Sequence, residues 1–297
     1  MSVNIPTHFV QQFSSNVGLL LQQKGSKFRG SVSTGTHVGK QASPIDQIGA
    51  ITAKTVTGRF NPKTRTDAQM DRRWVVPLDK EVNQLIDTYD KLRLLTDPSS
   101  KYVENAMYAI GRAMDEEILT RIHGTNLTGE TGATSTTFPT ANAVGVNQGA
   151  ASATNLTFAK LREAKRLLMS FNNDVFSDEI YMAVNATCYD NLLSEIEITS
   201  RDFNPEPVLK DGKLTSVLGI KIIHTELLVT GTDDQAGTST SVPLWLKSGV
   251  HLGMWADIKT SITTRNDLEG EPWQAMASAT FGATRLEENK VIRIWAR

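Results

Sequence analysis

Cysteine is almost absent: Cys188 is the only one in 297 residues. That excludes an intrachain disulfide and any zinc site built from cysteines, and it fits a chain that matures in a reducing cytoplasm. An excess of either charge is absent too. Lys and Arg total 31 and Asp and Glu 32, for a net charge of -1. A tight, non-specific nucleic-acid binder needs unbalanced cations to displace counterions, and this chain has no such surplus. The longest apolar runs are a few residues, far short of the ~20 that span a bilayer, so no membrane partner is expected. The leading MSVNIPTHFV has no basic region followed by an apolar core, and does not read as a signal peptide. The hydrophobic fraction of 39% is adequate for a core but lean, so part of the chain is expected to lie outside it.

Catalytic motifs are missing as well. Thr34 to Gln41 falls short of a phosphate loop, because Thr34 stands where glycine is required and Gln41 where Ser or Thr is. No dinucleotide-binding glycine pattern follows a strand, and no nucleophile elbow occurs. The five histidines (His8, His37, His123, His224, His251) are far apart and read as structural or exposed. Glu116 and Glu117 are helix neighbours that point in different directions and make no paired-carboxylate site. Asp233 and Asp234 lie in a Gly/Thr-rich loop, solvated or in touch with a cation. Cys188 has no base beside it in sequence and reads as a small buried hydrophobe. No cofactor, metal or catalytic residue is expected.

What is present is an order of segments. Residues 1–47 form an N-terminal arm, with Phe9, Phe13 and Val17 spaced as on a short amphipathic helix and a Gly/Ser/Thr-rich stretch behind them. Such a stretch buries little apolar area against its ordering cost, so it is either a mobile tail or an arm ordered by lying across a neighbouring subunit. Residues 48–78 read as an extended loop, a long two-stranded hairpin. AITAKTVTGRF alternates as a strand does, Asn61-Pro62-Lys63 turns, and a second extended stretch runs to Val76. Lys54, Arg59, Lys63, Arg65, Arg72 and Arg73 outnumber Asp67 and Asp71 there. An isolated hairpin is marginal in water, so this one needs something to lie on, and an adjacent subunit is the natural candidate.

Residues 79–154 hold the clearest helix. Asp97 is a good N-cap and Pro98 fits the first helical position. Val103, Met107, Ile110, Met114, Ile118 and Ile122 trace one apolar stripe to His123. Gly124 supplies a stop. At the usual rise the helix is about 39 Å long, a strut across its domain. Thr125 to Thr154 is rich in Thr, Ala, Gly and Asn and reads as a surface excursion between two structural units, with a hairpin as one form open to it. Residues 155–248 alternate helix and strand: a helix capped by Thr157, the strand EIYMAV, a short helix carrying Cys188, and the strand LGIKIIHTE. Residues 249–297 return as strands ending in VIRIWAR. The class expected is α+β.

This layout, and DPSSKYVENAMYAIGRAMDEEILTRIHG above all, resembles the major capsid protein of tailed bacteriophages with the Hong Kong ninety-seven type of fold. DPSSKYVENAMYAIGRAMDEEILTRIHG is similar to that family's spine helix. TFAKLREAKRLLMS, EIYMAVNATCYDNLL and LTSVLGIKIIHTE are similar to its axial domain, and GATRLEENKVIRIWAR to the closing strand of its peripheral domain. The resemblance implies a homo-oligomer of hexamers and pentamers in an icosahedral shell around double-stranded DNA contacted non-specifically. It implies that 48–78 reaches over the adjacent subunit, with Arg59, Lys63, Arg65, Arg72 and Arg73 as intersubunit contacts and the arm, with Phe9 and Phe13, against a neighbour. Some relatives carry a long N-terminal scaffolding segment; with the hairpin starting near residue 48, a separate scaffolding protein is implied, and a portal with it. Lys54 and Lys63 lie in the hairpin, but no acceptor for the covalent crosslink of a few relatives is identifiable. Two other readings stay open: an encapsulin-type compartment shell, told apart by particle contents, and a cytosolic α/β enzyme, told apart by size in solution.

Overall fold

The computed structural model describes residues 22–39, 42–59, 62, 65–86, 99–195 and 214–297. Strands β1 (Ser33–Thr36), β2 (Ser43–Ile48), β3 (Met70–Val75) and β4 (Leu78–Ile86) precede helix α1 (Ser99–His123). Strands β5 (Asn126–Thr128), β6 (Thr134–Thr136) and β7 (Ala143–Val144) follow it. Then come helix α2 (Phe158–Ser170), strand β8 (Ile180–Val184) and helix α3 (Ala186–Ser194). Strands β9 (Ser216–Val217), β10 (Ile220–His224), β11 (Thr230–Thr232), β12 (Thr238–Leu246), β13 (Val250–Thr264), β14 (Trp273–Arg285) and β15 (Val291–Ala296) complete the chain. The chain divides into two compact units.

One unit holds Leu78–Met114 and Ala256–Phe281, with the described residues up to Ser26. Here β4 pairs antiparallel with β14, from Leu78↔Phe281 to Ile86↔Trp273. Ala275, Ala277 and Ala279 alternate inward along β14, as the two-residue period of a half-buried strand requires. Gly111 is used for close approach: a Cβ there would lie 2.6 Å from the backbone carbon of Gly25. Arg112 fixes the same crossing by donating to the Gln22 side-chain oxygen at 2.8 Å.

The expected long helix is α1. Ile110, Met114, Ile118 and Ile122 are buried, while Met107 is 40% exposed, so the stripe is dry only in its later turns. Asp97 and Pro98, the expected cap, lie outside the described residues.

The other unit holds Lys27–Pro77, Asp115–Trp255 and Gly282–Arg297. Its central sheet runs β7-β15-β12-β8-β10-β9, with β11 also pairing β12. β8 and β10 are parallel, as the intervening α3 allows, and β12 and β15 are antiparallel over six registered pairs. Leu161, Ala164 and Leu168 of α2 pack with Met182, Leu244, Ile292 and Ile294 in the core. Thr157 caps α2 by accepting from Lys160 N, and Asn185 caps α3 by accepting from Cys188 N. The expected strand EIYMAV is β8, and LGIKIIHTE contains β10.

Three expectations are corrected. The arm from Lys27 to Thr36 folds onto its own subunit. Asp115 accepts from the backbone N–H of Lys27 at 2.9 Å and of Phe28 at 3.2 Å. Phe28 is fully buried with its ring 5.9 Å from that of Trp245, whose Nε1 donates to Ser31 O. β1 then pairs parallel with β13, Ser33↔His251 to Thr36↔Met254. One aromatic and one buried carboxylate anchor the segment, and composition averages over such anchors. Second, the strand expected over 50–60 is not formed at residues 50–58. The paired strand is β2, which starts seven residues earlier and lies almost wholly in what reads as the arm. Alternating β-branched residues make a strand only where another backbone supplies the ladder, and the last such bond is Gly49 N to Gln69 O at 2.7 Å. Third, 125–154 is not all excursion. The hairpin allowed for there is β5 and β6, lying on β3, but β7 joins the central sheet beside β15, with Val144 and Val146 buried.

Candidate functional site

The candidates among the described residues, Arg59, Arg65, Arg72 and Arg73, lie on the β2–β3 ladder and on the chain beyond it. The ladder runs from Ser43↔Val75 to Ile48↔Met70, and β2 is the edge strand of the sheet β2-β3-β5-β6. Trp74 steadies the far side of β3: its Nε1 donates to Gly129 O at 2.7 Å, and its ring fills the space that a Cβ at Gly132 would need.

Successive residues on a strand point to opposite faces, and this separates Arg72 from Arg73. Arg72 faces its register partner Asp46, with Nε donating to the carboxylate at 2.5 Å, and the guanidinium stands 5.9 Å from the Trp74 ring centre. The Asp46 hydrogen bond holds the Arg72 cation protonated beyond its ordinary range. Arg73 is 6% exposed and pairs with Glu288 at 2.7 Å and Asp71 at 3.5 Å. It is thus corrected: its guanidinium is used inside its own subunit and is not presented to another.

Arg59 and Arg65 are exposed. Arg65 pairs with Asp67 at 2.5 Å while remaining 86% exposed, and the Lys54 ammonium donates to Arg65 O across the loop at 3.3 Å. Apolar side chains stand in water beside these cations: Ile48 at 72%, Ile51 at 59%, Val56 at 85% and Met70 at 77% exposure. Exposed apolar groups gathered in one segment mark a surface that another surface covers. Lys63, Phe9 and Phe13 lie outside the described residues.

The loop is rooted in a basic knot that sequence reading missed. Arg285 is fully buried and donates from Nη1 to Ile122 O at 2.8 Å and Gly124 O at 3.0 Å. Arg293 donates to His123 O at 3.1 Å. These two side chains satisfy carbonyls that the end of α1 leaves open, and their charge complements the helix dipole there. Both approach the Phe138 ring, its centre 5.3 Å from the Arg285 and 4.6 Å from the Arg293 guanidinium carbon. Burial pushes both arginines below their ordinary range. Nothing in the local sequence of Arg285 or Arg293 marks this role, because their partners are 161 to 170 residues away.

Asp233 is buried instead of solvated, and protein donors take up its carboxylate. Its carboxylate accepts from Ser239, from the backbone of Gln235 and Gly237, and from Arg297 at 2.8 Å. Burial opposes its charge, but these hydrogen bonds outweigh burial and bring it to about 2. Cys188 is buried and burial pushes its thiol up to about 11. Among the described residues no set of three His, Cys, Asp or Glu is placed to hold a metal ion.

A family model described as phage capsid protein matches residues 5–296. The chain belongs to the phage capsid protein family. It is a major capsid protein, a structural subunit of the virion shell. Its fold is shared with solved phage capsids. The capsid of Cyanophage P-SCSP1u aligns with a TM-score of 0.75 at 14% identity, covering 98% of this chain and 94% of that one. The capsid of Ralstonia phage GP4 gives 0.72 at 12%, covering 97% and 95%. The capsid of Helicobacter pylori bacteriophage KHP30 gives 0.71 at 10%, covering 100% and 98%. No curated protein matches the chain in sequence. At such identities the likeness is one of fold: the α+β architecture is shared while only 10–14% of residues are identical.

Proposed function

We propose that this capsid protein assembles as hexamers and pentamers into a shell of the Hong Kong ninety-seven type around the double-stranded DNA of a tailed phage, and that it carries no catalytic activity. The observation that supports this reading is the segment beyond the β2–β3 ladder, in which Ile51, Val56, Arg59 and Arg65 are all exposed. In the assembly this loop lies over the adjacent subunit. Its apolar side chains lose water there, and its cations set register against acidic groups more than they add affinity. Shell closure then needs no single strong contact, because each subunit is held by several neighbours at once. The DNA is contacted non-specifically, in keeping with a net charge of -1. A separate scaffolding protein and a portal are the further partners in this reading.

The test is assembly of an Arg59→Glu/Arg65→Glu double variant, followed by sedimentation and electron microscopy. The subunit should keep its circular dichroism and lose particles. Normal particles from a folded double variant would remove the loop from the interface. Particles that hold cargo protein and never DNA would favour an encapsulin-type compartment instead.

A further inference from the structure

The histidines that sequence reading left isolated are not all so. His37, just beyond β1, and His251, on β13, meet with their Nε2 atoms 3.0 Å apart and their rings edge to face. The hydrogen-bond chain around them has one self-consistent proton arrangement. Ser33 gives its hydroxyl proton to Val250 O at 2.9 Å, so its oxygen accepts from His251 Nδ1–H at 3.1 Å. His251 Nε2 is then a bare acceptor, and the proton between the rings belongs to His37. His37 Nδ1 therefore accepts from the Ser43 hydroxyl, 2.7 Å away. Both rings are neutral, and four side chains on β1, β2, β13 and the turn after β1 form one directed chain.

The backbone is shaped to the pair. A Cβ at Gly35 would lie 2.8 Å from His251 Cε1, and a Cβ at Gly253 would lie 2.5 Å from His37 Cδ2. Trp255 stacks on His37 at 5.0 Å, and Val75 stands beside Gly253. Among the described residues the neighbours are Ser33, Ser43, Val75 and Trp255, and the group whose charge would lower His251 is His37 itself. Among the described residues, no carboxylate is a hydrogen-bond partner of either ring to welcome a second proton.

We propose that His37 and His251 form an acid-released latch that holds β1 on β13 at the root of the extended loop. When both rings are protonated, two N–H groups face each other at hydrogen-bond distance, and like charges meet in a half-buried site. The pair then parts, and the backbone bond from His37 N to Met254 O and the β1–β13 ladder open with it. Burial lowers His37, and burial followed by the His37 charge lowers His251 to about 4. A lowered folded-state value means that the unfolded chain binds protons first. The latch is therefore intact above about 6.5, the ordinary histidine value, and weakens as pH falls toward 4.

The test is hydrogen exchange of residues 33–37 in the full chain between pH 7 and pH 4, corrected for the intrinsic rate, with proton NMR titration of both rings. Protection of these amides should fall at least tenfold by pH 4, while the β12–β15 ladder keeps its own. A His251→Gln variant, which keeps an acceptor and cannot titrate, should lose that pH dependence. If this variant fails to fold, the ring titrations of the unaltered chain decide alone. Either ring titrating at the ordinary value, or unchanged protection of β1 at pH 4, overturns the latch.

Discussion

The guanidinium of Arg73 on β3 meets the carboxylate of Glu288, in the turn before β15, at 2.7 Å, with the two side chains only 7% and 21% exposed. Residues 215 positions apart thereby tie the base of the extended loop to the last strand of the chain. Removing one member of a buried pair leaves the other charge uncompensated, and typical losses are about 3–5 kcal/mol. Arg73→Glu, which sets two carboxylates together, should unfold the subunit at markedly lower urea than Arg59→Glu, whose exposed side chain leaves the midpoint unchanged. Equal midpoints would show that Arg73 is not bound inside its own chain.

Arg285 closes the end of α1 through the carbonyls of Ile122 and Gly124. Arg285→Ala strands the Ile122 carbonyl, while Gly124 O keeps a 3.4 Å bond from Asn126 Nδ2, and an unsatisfied buried group costs about 1–3 kcal/mol. Arg285→Lys keeps a charge but loses the forked geometry, so it should recover less than half of the lost stability. Thermal unfolding of the two variants beside the unaltered chain reads this directly, and full recovery by lysine would reduce the interaction to simple charge.

Lys160 is buried, with its ammonium donating to Thr154 O at 2.7 Å and Trp295 O at 2.8 Å, and burial lowers it to about 8. The unfolded chain holds that proton more tightly, so the sign is fixed: the destabilisation is fully present below about 8 and is relieved as pH rises toward 10.5. Lys160→Met should flatten the stability profile across that window. A slope unchanged by the substitution would assign it to other groups.

Ala236 holds φ at +57° in the exposed turn between β11 and β12, a region that costs residues with a Cβ about 1 kcal/mol. Ala236→Gly should raise stability by about 0.5–1 kcal/mol in urea unfolding, despite the added freedom of the unfolded chain. A loss of stability would mean that the neighbouring Asp233 turn already absorbs the strain.

Periodicity and caps within the chain determined a good deal of this protein. The stripe from Ile110 to Ile122 made α1 legible, Thr157 marked the start of α2, and the apolar run around Met182 announced β8. Each rests on neighbours within a few positions, where geometry depends on local residue type alone. The order of these elements carried the likeness to phage capsids as well. Only the tertiary structure decided which basic residue of β3 faces out, that Phe28 pins the arm against Trp245, and that His37 and His251 meet. Those outcomes depend on which distant backbone comes alongside. A burial or a pairing between residues some 200 positions apart leaves no local pattern, because the energy that selects it exists only once the two segments have met.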